Sequence, residues 1–152
     1  MMASLQELSD RAAIADLLHA YCRCCDLNDP DGIAACFTED CVADYGPGVG
    51  PPASGRATRR AEAARDLQLF DATSHHLSNI VVEFETADRA RVQSVLYAWH
   101  RPRTGDADWH LHAQYDDVMV RAGAGWLIAE RRLLVAGTVG FPDWEWLPIG
   151  RA

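Results

Sequence analysis

After residue 73 the hydrophobic period of the chain changes from about 3.6 to 2, and this change constrains the fold more than any other feature. Four runs alternate apolar and polar residues: Ser74–Glu85, Arg89–Arg101, Asp108–Arg121 and Gly125–Val135. The breaks between them are Ala87-Asp88, residues 102–107 and Ala122-Gly123-Ala124. None is long enough for a crossover helix, so the runs must pair as antiparallel hairpins. Helical patterning precedes them, and helices followed by a strand meander is an α+β arrangement. A strongly curved, mostly antiparallel sheet of this kind can wrap its concave face around N-terminal helices. The expected result is a cone-shaped roll with an internal pocket.

The helical half opens with one apolar stripe: Ile14, Leu17, Leu18, Tyr21 and Cys25. Ser4 or Ser9 can cap this helix, which should run to about Leu27. Asn28-Asp29-Pro30-Asp31-Gly32 is a turn by composition. A short helical segment is predicted over Ile33–Phe37 and a first strand over Thr38–Tyr45. Gly46–Gly55 holds four glycines and three prolines and is predicted to be an irregular loop. Ala57, Ala61, Ala64, Leu67 and Phe70 recur at helical spacing, which predicts a second main helix over Arg56–Phe70. The tail, residues 137–152, carries Phe141, Trp144 and Trp146 between prolines, too much aromatic surface for a free end. It should pack over the pocket mouth or on a partner subunit.

The chain of 152 residues suits a single domain, residues 1–152. A net charge of −8 argues against a nucleic-acid surface, which needs clustered Lys and Arg. No apolar run approaches a membrane span, and MMASLQELSD lacks the parts of a signal peptide, so a cytoplasmic location is expected by default. Cys22, Cys24, Cys25, Cys36 and Cys41 are odd in number and crowded, which fits reduced thiols rather than a disulfide framework. His110 and His112 form an H-x-H pair with His100 on the preceding strand. Neither they nor the cysteines match a zinc spacing, and no metal is expected. Nucleotide-binding and nucleophile-elbow motifs are absent from the sequence as well.

Candidate site residues begin in the first helix. Tyr21 is either a core tyrosine with a backbone partner or a hydroxyl projecting into a cavity. Asp26 lies about 140° further round the helix, at a C-terminal end whose dipole disfavours an anion. A nearby histidine would give it a reason to be there. His75 and His76 open the first long strand, and simple alternation puts His76 on the drier face with Ile80, Val82 and Phe84. A β-bulge would reverse that and turn His75 inward. Tyr115-Asp116-Asp117 lies in the third run and reads first as surface or interface polarity. The pocket's size depends on which bulky residues face inward, Phe37 and Trp99 among them, and a one-residue slip of register reverses every such assignment.

Three pieces of the sequence, in order, resemble SnoaL-like proteins of the nuclear transport factor 2-like superfamily. They are RAAIADLLHAYCRCCDLNDPDGIAACFTEDC, TSHHLSNIVVEF and YDDVMVRAGAGWLIAERRLLV. Lyases of the family need no cofactor and often pair a helix-1 aspartate with a strand-start histidine. The resemblance identifies that pair as Asp26 and His75, the latter within a T-x-H-x-x-x-N pattern formed with Thr73 and Asn79. It implies a dehydratase-like lyase or an isomerase acting on a small apolar, perhaps cyclic, substrate. Catalysis would come from His75, Asp26 and Tyr21. Substrate contacts are expected from His76, Arg121, Tyr115, Trp99 and Phe37; Arg121 lies near an arginine that the family's dehydrochlorinases use. The resemblance also implies a homo-oligomer, dimer or trimer, packed through the convex sheet face. The alternative is a non-catalytic ligand-binding or assembly subunit, such as a ring-hydroxylating dioxygenase small subunit.

Overall fold

A computed structural model describes residues 4–150; the outermost residues of the N-terminus and of the predicted tail lie outside the described residues. Helix α1 (Leu5–Asp26) starts where the Ser4 side chain accepts a hydrogen bond from the Glu7 N–H at 3.1 Å. It stops at Leu27, its C-cap, followed by Asn28 with φ 53°. Its buried face carries Ile14, Leu18, Tyr21 and Cys25 of the predicted stripe, together with Cys22 and Asp10, while Leu17 is only partly buried. Burying a side chain such as Ile14 or Leu18 stabilises the fold by roughly 1.5–3 kcal/mol.

The short second helix comes earlier than predicted. Helix α2 spans Pro30–Ala35, because Asp29 caps it by accepting from Gly32 N–H at 2.9 Å and Pro30 is preset for the first turn. Strand β1 (Phe37–Asp44) follows. The loop predicted to be irregular contains a two-residue strand, β2 (Ala53–Ser54), paired antiparallel with β1. Helix α3 (Arg56–Leu67) is shorter than expected, since Phe70 already belongs to the next strand. Its buried residues are Arg59 and Ala63, a different face from the one the alanine spacing suggested.

The four predicted strands form: β3 (Phe70–Thr86) extends at both ends, β4 (Arg89–Pro102) and β6 (Gly125–Val139) at their C-terminal ends, and β5 (Trp109–Ala122) is shifted by one residue. The sheet order is β2-β1-β6-β5-β4-β3, with β1 parallel to β6 and every other pair antiparallel. It is a curved, open, mixed sheet with the helices packed against it, the expected α+β cone. After β6 the chain turns back across the sheet. Val135 N–H donates to Leu147 O at 2.7 Å, and Gly48 N–H donates to Glu145 O at 2.8 Å. A side chain at Gly48 would meet the backbone of Glu145 and the Cβ of Trp144, so only glycine allows this approach.

One irregularity decides which residues face the concave side. The β3–β4 register shifts between Ser78 and Val81, around Asn79 with φ 50°. Before the shift His75 lies opposite Ala98 and Leu77 opposite Leu96; after it Val82 lies opposite Val92. Ala98, Leu96 and Val92 are all buried. His75 and Val82 therefore share the inner face although they are an odd number of residues apart. Asparagine tolerates positive φ better than most residues, which lets the bulge form there. Among the described residues, no helix is long and apolar enough to cross a membrane.

Candidate active site

The last turn of α1 meets the start of β3 through Asp26. Its Oδ1 accepts from the ring Nδ1 of His75 at 2.7 Å and from the Thr73 hydroxyl at 3.0 Å. Its carboxylate also receives the His75 backbone N–H, at 3.1 and 3.0 Å to the two oxygens. Burial pushes the Asp26 pKa up, but these His75 and Thr73 hydrogen bonds outweigh it and hold the group below the usual carboxylate range. A carboxylate only accepts, so the proton of His75 must sit on Nδ1. Nε2 is then the basic nitrogen, and no described residue hydrogen-bonds it. The His75 side chain is only 9% exposed.

His75 forms part of the wall of a cavity of about 310 Å³ inside the cone, lined mostly by apolar side chains such as Leu96, Leu111 and Leu133. Asp26 is not in that wall; it supports the ring from behind. Tyr21 and Tyr115 reach the cavity, together with Tyr45. The Tyr21 and Tyr45 hydroxyls are 3.0 Å apart. Burial raises the pKa of Tyr21 and Tyr115 well above the ordinary value, so both are neutral donors. Behind them the Arg131 guanidinium stacks 3.8 Å from the Tyr115 ring centroid and 4.4 Å from that of Tyr21. Asp117 holds Arg131 by two hydrogen bonds of 2.8 and 2.7 Å, both side chains fully buried. This fixes the tyrosines without using the cavity.

Four expected substrate contacts lie elsewhere. His76 points to the opposite face of β3, where its Nε2 is 3.0 Å from the Ser74 hydroxyl and its ring packs near Tyr97; the bulge at Asn79 is the reason. Trp99 lies opposite Ser74 on that same outer side and donates to Asp108 at 3.0 Å. Phe37 is fully buried beneath Tyr21, part of the core rather than the wall. Arg121 sits at the other end of α1. Its two terminal nitrogens each contact Asp10 at 2.9 Å, and its Nε contacts Asp88 at 2.8 Å. Asp117 also differs from its surface reading, because it belongs to the buried pair just described, whereas Asp116 is partly exposed. The tail aromatics Phe141, Trp144 and Trp146 line the cavity, the first of the two placements the sequence suggests.

Sequence reasoning missed three residues of the wall: His100, Tyr45 and Arg59. His100 stands near His75, ring centroids 5.3 Å apart, and between Phe70 and Phe141. Burial first, then the neighbouring His75, pushes its pKa down to about 3, so it is neutral. Two residues beyond Ala98 on β4, it shares the inward face of Ala98, a signal hidden while the β3 register was undecided. His110 and His112 instead flank Tyr97 on the outer face. Among the described residues, no group of three or more His, Cys, Asp or Glu side chains is placed to hold a metal ion. Cys25 reaches the cavity, but burial pushes its thiol up to about 12, far from a thiolate nucleophile.

The fold and this cavity define a nuclear transport factor 2-like cone. The SnoaL-like domain family matches residues 6–132, and the chain belongs to that family. It is similar to a Novosphingobium aromaticivorans DSM 12444 protein provisionally named a scytalone dehydratase. The two share 33% identity over 97% of each chain, with a TM-score of 0.91. A provisionally named aromatic ring hydroxylase from Novosphingobium aromaticivorans is 26% identical over 88% of this chain and 94% of that one, with a TM-score of 0.81. The hexachlorocyclohexane dehydrochlorinase LinA-type3 of Novosphingobium barchaimii LL02 shares the fold at 18% identity, over 97% and 100% of the chains, with a TM-score of 0.81. No curated protein matches the chain.

Proposed function

We propose that the cavity is the active site of a cofactor-free lyase or isomerase, dehydratase-like, acting on a small ring-bearing substrate. The observation that carries this is the 2.7 Å contact from Asp26 to Nδ1 of His75, a residue of the wall of an apolar cavity. That arrangement makes Nε2 a base aimed at a carbon-bound proton, with Asp26 keeping the tautomer and stabilising the imidazolium. The Tyr45 and Tyr21 hydroxyls are hydrogen-bond donors for a carbonyl or a leaving hydroxyl, where negative charge develops. His100, held neutral, is a second polar contact near the same reacting edge. The similarity to a protein provisionally named a scytalone dehydratase supports the dehydratase direction. Five free cysteines favour a reducing compartment, the cytoplasm.

The test is His75→Ala assayed against a panel of cyclic β-hydroxy ketones and their dehydration products. Turnover should fall by about 10²–10⁴-fold, the share a positioned base supplies, with the melting curve nearly unchanged. Full activity in that variant sinks the reading.

A further inference from the structure

The cavity holds one group for which the dyad chemistry has no use. Arg59, on the buried face of α3, is 7% exposed and part of the cavity wall. Its guanidinium lies 4.7 Å over the Tyr45 ring, which fixes its plane. Apart from the Tyr21 hydroxyl beside it, its side-chain hydrogen bonding is meagre. Nη1 reaches Glu62 at a long 3.4 Å, and Nε is buried with no partner among the described residues. Other arginines of the fold differ in having a close carboxylate, although Arg131 too leaves one nitrogen, Nη1, buried without a partner among the described residues. Arg121 and Arg131 each have a bidentate carboxylate at 2.7–2.9 Å, and Arg56 reaches a backbone carbonyl and a carboxylate. Arg65 and Asp66, at the rim of the same cavity, satisfy each other at 2.8 Å. Leaving a buried guanidinium this poorly paired is costly unless an occupant completes its fork.

We propose that the cavity takes an acidic substrate, a one- or two-ring carboxylic acid, and that Arg59 holds its carboxylate. The inference rests on the reading of this cavity as the substrate site, but not on the dyad's turning anything over. A planar carboxylate offers two acceptors to a planar guanidinium, while the rings occupy the apolar wall made by Phe70, Leu96, Leu133 and Phe141. Glu62 is the charge that opposes such a ligand. It is also in the wall, and burial pushes its carboxyl pKa up although Arg59 beside it pulls the other way. A ligand carboxylate with better geometry than 3.4 Å displaces this weak contact.

Isothermal titration with 2-naphthoate and its neutral isostere 2-naphthamide tests the assignment. The wild-type protein should bind the acid at least about tenfold tighter than the amide, the worth of a charge-assisted hydrogen bond. Arg59→Met, which keeps an unbranched apolar side chain but removes the guanidinium, should erase the preference, and Arg59→Lys should restore part of it. Glu62→Gln should tighten naphthoate and leave naphthamide unchanged, independently of how well the Arg59 variants fold. His75→Ala should keep the preference, so a failure of the proton-transfer chemistry is told apart from a failure of acid recognition. Equal affinity for the two probes in the wild-type protein, no binding of the acid, a preference that survives Arg59→Met, or weaker naphthoate binding in Glu62→Gln overturns it.

Discussion

Helix α1 is fastened to the sheet by a carboxylate near each end, and the two fastenings differ in what they can do. Near the N-terminus Asp10 accepts from both terminal nitrogens of Arg121, and from the Trp126 indole at 3.0 Å. Every partner there is a permanent donor. Near the C-terminus Asp26 accepts from Thr73 and from His75, an imidazole with a second ring nitrogen left free to act as a base. A guanidinium is not a base under physiological conditions, so the first site is a clamp and only the second offers a group for proton transfer. The apolar cavity lies beside the histidine, whereas the arginine borders a more open and more polar cleft with Glu7, Asp10 and Arg11. The same helix-to-strand contact thus differs in one partner, a guanidinium at one end and an imidazole with a free ring nitrogen at the other.

The comparison breaks most visibly in turnover. Asp26→Asn keeps an acceptor for Thr73 and the His75 backbone but no longer holds the ring proton on Nδ1 or balances the imidazolium. Turnover should drop by roughly 10²-fold or more with little change in melting temperature. A loss under tenfold would show that Asp26 is merely another clamp. Asp10→Asn should do the opposite. It leaves Arg121 facing a neutral amide, and the melting temperature should fall by roughly 5 °C. Turnover per folded molecule should stay the same, as activity and calorimetry on one preparation would show.

The smallest effect is on acid stability, and it separates the ends by pH window. His100, at the cavity end, is a base whose folded pKa is depressed to about 3 from 6.5. The unfolded chain takes up that proton first, so its contribution is complete above 6.5 and is lost as pH falls toward 3. Roughly 1 kcal/mol should be gone by pH 5.5. Asp10 is an acid whose folded pKa is depressed, chiefly by the Arg121 hydrogen bonds and then by Trp126. Its contribution is complete above the ordinary carboxylate value of 3.8 and is lost only below it. Urea unfolding between pH 7.5 and 4.5 should therefore show a decline that His100→Asn removes and Asp10→Asn leaves in place.

How much of this was legible in the sequence follows from the kind of signal each residue leaves. The four strands were readable because alternation persists over ten or more residues and the breaks are short. The inward histidine was not readable from alternation, since the bulge at Asn79 changes the parity that alternation assumes. The family pattern supplied it, and the asparagine of that pattern is the residue with positive φ. Arg121 was expected at the site from its place near an arginine of the family's dehydrochlorinases; its actual partner, Asp10, lies 111 residues away and leaves no local trace that could have corrected this. Arg59 was hidden for a related reason: in an alanine-rich helix the apolar spacing chose the wrong face, and burial of a charge cannot be anticipated from periodicity.

The parallel seam between β1 and β6 carries a kinetic consequence. Phe37 lies beside Ile128 and Asp44 beside Arg132, whereas β3, β4, β5 and β6 pair successively through short turns. The hairpins can zip between neighbours, but β1 has to find a strand most of the chain away, and long loops are slow to close. Until that seam forms, Phe37 and Cys41 have no cover and Arg131 lacks the packing that surrounds it in the finished core. The seam, like the Asp10–Arg121 fastening of α1, is therefore expected to form after the local hairpins, and a stopped-flow measurement in which Phe37→Ala leaves the early phase unchanged would check it.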